Sequence, residues 1–160
     1  MAKVFLSIGS NIGDRGKHLQ NALVSFEQWG IKVIRSSSIY ETEPVGNKNQ
    51  PMFLNMVVQV ETDKSAGDLL TVLMSIERSE GRERRERLGP RTLDLDILFY
   101  DDQVMDVTGL VIPHPRIAER LFVLVPLAEI APDLLHPVLK KPVKELLKEC
   151  LDKSIVTLLR

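Results

Sequence analysis

Apolar residues run from Val4 to Gly9, interrupted only by Ser7, the pattern of a central strand covered on both faces. Leu19, Ala22, Leu23 and Phe26 then recur at helical spacing and Gly30 follows as a stop signal, which predicts an amphipathic helix. Ile31, Val33 and the serine-rich stretch to Tyr40 read as a second strand, and Glu41 to Asn47, with Pro44 and Gly46, as a loop. Phe53 to Glu61 alternates: Leu54, Met56, Val58 and Val60 share one face and Phe53, Asn55, Val57 and Gln59 the other. This pattern predicts a half-exposed third strand. Ser65 and Asp68 form a helix start ahead of Leu69, Leu70, Leu73 and Ile76. Thr92 to Tyr100 alternates again, with Leu93, Leu95, Ile97 and Phe99 opposite Asp94 and Asp96, and Asp101-Asp102-Gln103 reads as a hairpin turn into Val104-Met105. Short helices follow around Ile117 to Leu127 and Val143 to Cys150, then a last strand near Ile155 to Leu158. The order β-α-β-β-α-β predicts an α+β fold of ferredoxin-like type, an antiparallel sheet with helices packed on it.

Length and composition set limits on this picture. A chain of 160 residues, 44% of them hydrophobic, is expected to form one domain over residues 1–160 and to build a core without disulfides or a structural metal. Cys150 is the single cysteine, so no disulfide framework is available and a cytoplasmic setting is expected. The apolar run at the start is too short for a signal peptide, and no stretch reaches the roughly 20 apolar residues of a membrane helix.

The net charge of −1 hides an asymmetry. Residues 82–91 carry five arginines against two glutamates, a local +3, which leaves 16 basic and 20 acidic residues elsewhere, or −4. A guanidinium cluster on an otherwise acidic chain points to a local anion site rather than to nucleic-acid binding over a broad surface.

That cluster leads directly into Asp94-Leu95-Asp96. On a strand, residues i and i+2 share a face roughly 7 Å apart, so two like charges stand side by side and favour an intervening cation. Hard oxygen ligands suit Mg²⁺ completed by phosphates and water, and arginine forks suit phosphate oxygens. A D-x-D taken alone is equally an exposed polar strand face, and the arginine run alone a solvated helix end paired with Glu83 and Glu86. Together they describe a polyphosphate site. Gly9 to Lys17 does not make a P-loop, because Asn11 stands where glycine is needed and His18 where Ser or Thr is needed; a strand-to-helix turn accounts for its glycines. The histidines at 18, 114 and 136 have no zinc spacing. His114, between two prolines, either contacts a ligand or ends a strand. Phe53 and Asn55 on one strand face could stack on a flat heterocycle and bond its edge, or Phe53 could be core.

Gly89-Pro90-Arg91-Thr92-Leu93-Asp94-Leu95-Asp96-Ile97 resembles the signature of the 6-hydroxymethyl-7,8-dihydropterin pyrophosphokinase family. Ser7-Ile8-Gly9-Ser10-Asn11, Gln50-Pro51-Met52-Phe53-Leu54-Asn55, Ile112-Pro113-His114-Pro115, and Pro126-Leu127 with Glu129-Ile130-Ala131-Pro132 resemble its other landmarks, in the family's order. The resemblance implies transfer of pyrophosphate from ATP to the pterin hydroxymethyl group, giving AMP and the pterin diphosphate. It implies that Asp94 and Asp96 bind two Mg²⁺ ions and that Arg82 and Arg91 act in catalysis. ATP would be met by Leu70, Glu77, Arg84, Arg87, Arg91, Ile97, His114 and Arg120, and the pterin by Thr42, Pro44, Val45, Phe53, Asn55 and Phe122, with the two phenylalanine rings sandwiching it. The implied partners are these small molecules, with no nucleic acid and no membrane, and the expected state is a monomer. Leu88, Met74 and Pro115 depart from common family residues, and the arginine loop is one residue shorter. The alternatives are a nucleotidyltransferase, whose D-x-D would lie close after the Gly-Ser turn, and an RNA-binding ferredoxin-like module, which would need exposed sheet aromatics.

Overall fold

The computed structural model describes residues 1–46, 48–81 and 91–159. Its first half follows the predicted order: β1 (Ala2–Ser10), α1 (Arg15–Gln28), β2 (Lys32–Ser36), β3 (Tyr40–Thr42), β4 (Phe53–Thr62), α2 (Ala66–Ser79) and β5 (Asp94–Tyr100). The strand expected between Ile31 and Tyr40 is two short strands. Ser37 separates them by using its side chain in place of a ladder bond, its Oγ accepting the Val57 N–H at 2.9 Å. After β5 come β6 (Met105–Val107), β7 (Leu110–Ile112), a 3₁₀ turn (Ile117–Glu119), α3 (Leu121–Ile130), α4 (Val143–Glu149) and β8 (Val156–Leu158).

Among the described residues the main sheet runs β5-β1-β4-β3-β8, with β2 also on β4. Every pairing is antiparallel. This is the ferredoxin-like arrangement. Val4, Leu6 and Ile8 of β1 pack with Leu54, Met56 and Val58 of β4 beneath Leu19, Ala22 and Phe26 of α1 and Leu69, Leu73 and Ile76 of α2. Phe5, Val57, Leu98 and Phe99 fill the opposite face against Val123, Leu124 and Leu127 of α3 and Val143 and Leu146 of α4.

That second layer overturns the expectation that β4 is half exposed. All of its residues are buried except Gln59 and Glu61, which are partly so. The helices that cover it come late in the chain, so the alternation within β4 carries no sign of them.

The hairpin expected after β5 does not form either. The Asp101 N–H donates to the Lys3 carbonyl and the Asp101 carboxylate accepts the Lys3 N–H, both at 2.8 Å. Those bonds close β5 against β1, and β6 pairs instead with β7 in a separate ribbon. Two boundaries also move: β1 runs through Gly9 to Ser10, and β5 starts at Asp94 rather than Thr92.

Leu6 is fully buried in the strand flanked on both sides by partners. Leu6→Ala is expected to cost about 2–5 kcal/mol of stability, read as a lower urea midpoint at unchanged m-value; a loss below about 1 kcal/mol would contradict this packing.

Candidate active site

The site is built where three strands end on the α3/α4 side of the sheet. Gly9 of β1 pairs with Asn55 of β4 on one side and with Asp94 of β5 on the other; Ser7, two residues back, pairs with Val57 and Asp96. By the period of two, Phe53, Asn55, Gly9, Asp94 and Asp96 share the face on which Phe5 and Val57 meet the helices. The helices cover the apolar end and leave the polar end open.

Gly9 has to be glycine. A Cβ there would overlap Asn55 Oδ1 well inside van der Waals contact. Asn55 is buried, and its Nδ2 donates to Thr42 Oγ1 at 2.7 Å. Phe53, Asn55, Thr42, Val45 and Phe122 line one pocket, together with Glu43, Arg91, Asp94 and Arg120. Five of the six residues singled out for a heterocycle therefore meet there. Pro44 is buried and is not among the pocket's lining residues.

Asp96 opens into a second cavity with Leu70, Ile97 and His114, all three singled out for the nucleotide. Gly109, Leu110, Val111, Leu95 and Pro115 complete the lining. The sequence reading missed the first three because its hairpin ended at Val104-Met105 and it assigned no element to the residues that follow. Asp94 thus faces one compartment and Asp96 the other.

β5 is an edge strand, and an outward backbone N–H on such a strand needs a partner. Glu77, buried on α2, supplies one: its Oε2 accepts the Leu95 N–H at 2.8 Å, between the two aspartates. Glu77 therefore holds the strand from beneath. At the far end, a register shift against β1 makes Leu98 the extra residue, and its carbonyl accepts the His114 N–H at 3.0 Å. The Ile112–Pro113 peptide is cis.

His114 Nδ1 accepts the Arg116 N–H at 3.2 Å, so the proton of the neutral ring sits on Nε2. Burial, then the charge of Arg120 and less strongly that of Arg116, lower the His114 pKa to about 4 in spite of Asp94. At neutral pH it is an uncharged N–H donor.

Arg91 places a guanidinium nitrogen 3.8 Å from Asp94 Oδ2. Its main chain is tied to Asn11, whose Oδ1 accepts the Arg91 N–H at 2.8 Å and whose own N–H donates to the Arg91 carbonyl at 3.0 Å. The other end of the same carboxamide donates to Gln50 Oε1 at 2.9 Å and to the Pro51 carbonyl at 3.0 Å. Asn11 is thus a buried clamp between two loops, a role invisible in a strand-to-helix turn. Arg120 lies over the Phe122 ring, 5.5 Å from its centroid, a cation–π contact. Arg82, Arg84 and Arg87, and the departure at Leu88, lie outside the described residues.

On this α+β sheet the paired carboxylates line two adjoining compartments, one with two phenylalanines and one beside a neutral imidazole donor. The chain belongs to the 7,8-dihydro-6-hydroxymethylpterin-pyrophosphokinase (HPPK) family, whose model matches residues 5–132. It is 47% identical over 127 residues to a 2-amino-4-hydroxy-6-hydroxymethyldihydropteridine pyrophosphokinase of Bacillus subtilis, covering 79% of this chain and 76% of that protein. With the enzyme of that name from Aquifex aeolicus it shares 39% over 145 residues, 91% and 90% of the two chains. A solved HPPK-DHPS of Plasmodium falciparum superposes with a TM-score of 0.71 at 19% identity over 93% of this chain and 43% of that one, a likeness of fold. This chain spans less than half the length of that protein.

The folded-state pKa of His114, about 4, lies below the ordinary 6.5. Between these values the unfolded chain binds more protons, so His114 lends its full stability above about pH 6.5 and loses it as pH falls towards 4. The contribution is up to about 3 kcal/mol. Burial lowers the His136 pKa in the same direction. His114→Gln is expected to flatten, though not abolish, the fall in unfolding free energy from pH 7 to pH 4.5; an unchanged slope would show that His114 is not held neutral.

Proposed function

We propose that the flat pocket takes 6-hydroxymethyl-7,8-dihydropterin and the cavity at Asp96 takes ATP, with Asp94 and Asp96 at the join. The chain is a pyrophosphokinase of folate biosynthesis, an ATP-dependent diphosphotransferase that moves pyrophosphate to the hydroxymethyl group and leaves AMP. The observation that carries the assignment of compartments is the position of the two same-face aspartates, Asp94 lining the aromatic pocket and Asp96, one step along β5, lining the cavity beside His114.

In the pterin pocket, Phe53 and Phe122 offer ring faces to the heterocycle, and Asn55, oriented by Thr42, offers its carboxamide to the edge. In the other, Leu70 and Ile97 pack on the base while His114 Nε2–H donates to an oxygen. Glu77 acts through β5.

The donor set suits Mg²⁺. Asp94 and Asp96 present hard oxygens from adjacent same-face positions, and among the described residues no group of three or more His, Cys, Asp or Glu could hold an ion. One or two carboxylates with phosphate and water is the usual Mg²⁺ environment. Two ions are proposed, and when bound they would neutralise and align the triphosphate. Arg91 and Arg120 bring positive charge to the same join, and the arginines at 82, 84 and 87 would complete that set. The site thus works by positioning and electrostatics, with binding energy holding the hydroxymethyl oxygen in line with the β-phosphorus. Exclusion of water would protect the transferred group. Residues 1–160 are taken as one unit working as a monomer on small molecules in the cytoplasm, without nucleic acid. Among the described residues no helix is long and apolar enough to cross a membrane.

Product analysis with ATP, Mg²⁺ and the hydroxymethyl dihydropterin is the direct test. AMP with pterin diphosphate is expected; release of pyrophosphate with an adenylylated product would overturn the reading. Asp96→Ala is expected to lower kcat at least about a hundredfold, the scale on which preorganised electrostatic stabilisation acts, and near-normal turnover would refute its role. Asn55→Ala is expected to raise the pterin Kd about tenfold, as for loss of a buried hydrogen-bonding group, without weakening binding of a non-hydrolysable ATP analogue. Equal losses for both ligands would contradict the assignment.

A further inference from the structure

Helix α3 begins without a capping side chain of its own: Arg120, which precedes it, makes no side-chain hydrogen bond to the helix. A first-turn N–H left unmet is costly, and a carboxylate there is favoured by the helix dipole as well. That carboxylate comes from far along the chain. Asp152 Oδ2 accepts the Leu121 N–H at 3.0 Å, and Asp152 Oδ1 accepts the Ser154 N–H at 2.8 Å, which fixes the plane of the group. The same segment then reaches Thr42 and Glu43, which also line the pterin pocket. The Ile155 N–H donates to Glu43 Oε1 at 2.5 Å, the Glu43 N–H donates to the Ile155 carbonyl at 3.3 Å, and Val156 pairs with Thr42.

Leu121 stands between Arg120 and Phe122, and these two residues line the same pocket as Thr42 and Glu43. The geometry points to residues 152–156 as a strap that sets the separation of the pocket's two walls, with Asp152 as a positioning residue acting through the Leu121 N–H. The inference deepens the assignment of this pocket to the pterin and rests on it. It concerns residues beyond the family match, which ends at residue 132.

Loss of Asp152 would uncap α3 where Phe122 and Arg120 are held, while Leu70, Ile97 and His114, which line the nucleotide cavity, lie off that helix. The test compares the full-length parent with Asp152→Ala and Asp152→Asn by steady-state kinetics and by amide hydrogen exchange over residues 119–124 and 42–46. Asp152→Ala is expected to raise KM for the pterin about fivefold, the scale of a lost helix cap, with a smaller rise in KM for ATP through the displaced Arg120. Asp152→Asn, which keeps an acceptor well suited to a cap, is expected to recover most of that loss, and exchange should quicken at both walls in the alanine variant. An unchanged pterin KM, or equal rises in both KM values, would overturn the strap. Asp152→Ser, too short to reach Leu121, replaces the alanine variant should that one fail to fold. If the parent forms no AMP from ATP and the pterin, the functional reading fails by itself. The strap is then judged by exchange alone, and unchanged rates at both walls overturn it.

Discussion

A slip of one residue between β5 and β1 would turn Asp94 and Asp96 towards α2 and bring Leu95 to the open face. Everything polar in the site depends on that register. It is held from two sides: the buried Glu77 carboxylate grips the Leu95 N–H from beneath, and the Asn11 main chain and carboxamide fix Arg91 just before the strand begins. Charge repulsion between the aspartates does not disturb it, because both grips bear on the backbone. Gly9 then lets Asn55 lie across the row without a Cβ in its way.

The two faces of the sheet divide the work. The face under α1 and α2 is apolar between Ser10 and Thr62 and carries the larger core cluster. The other is apolar only where α3 and α4 cover it, and beyond their reach it exposes strand ends whose side chains are polar or aromatic. Binding groups are therefore mounted on strands whose reverse side is solid core, which gives them a fixed geometry. Glu43 and Val45 and the segment after β5 supply further walls.

Local patterns revealed much of this. Helical spacing marked α1 and α2, alternation marked β5, and Asp94 and Asp96 at i and i+2 were visible as a same-face pair. Phe53 and Asn55 were visible as an aromatic and a carboxamide on one face. Other features depend on partners distant along the chain. Nothing in Phe53 to Thr62 announces that α3 will cover it, and nothing in Met105 to Ile112 shows that the ribbon will leave the sheet and wall a cavity. Asn11 reads as a turn residue until residues 50, 51 and 91 are brought to it. Pro44, implied by resemblance alone, is buried and not among the pocket's lining residues.

The bonds between Glu43 and Ile155 join residues 112 positions apart, and β3 depends on β8 for one of its two neighbours. Such long-range pairings must overcome loop-closure entropy before they contribute stability, so they form late. During synthesis, which proceeds from the N-terminus, Thr42, Phe53 and Asn55 leave the ribosome long before Asp152 or Val156. A nascent chain thus passes through a stage in which the sheet's central strands have paired and the pocket has one wall unsecured. The two strands beside β3 are complete only once β8 has joined the sheet.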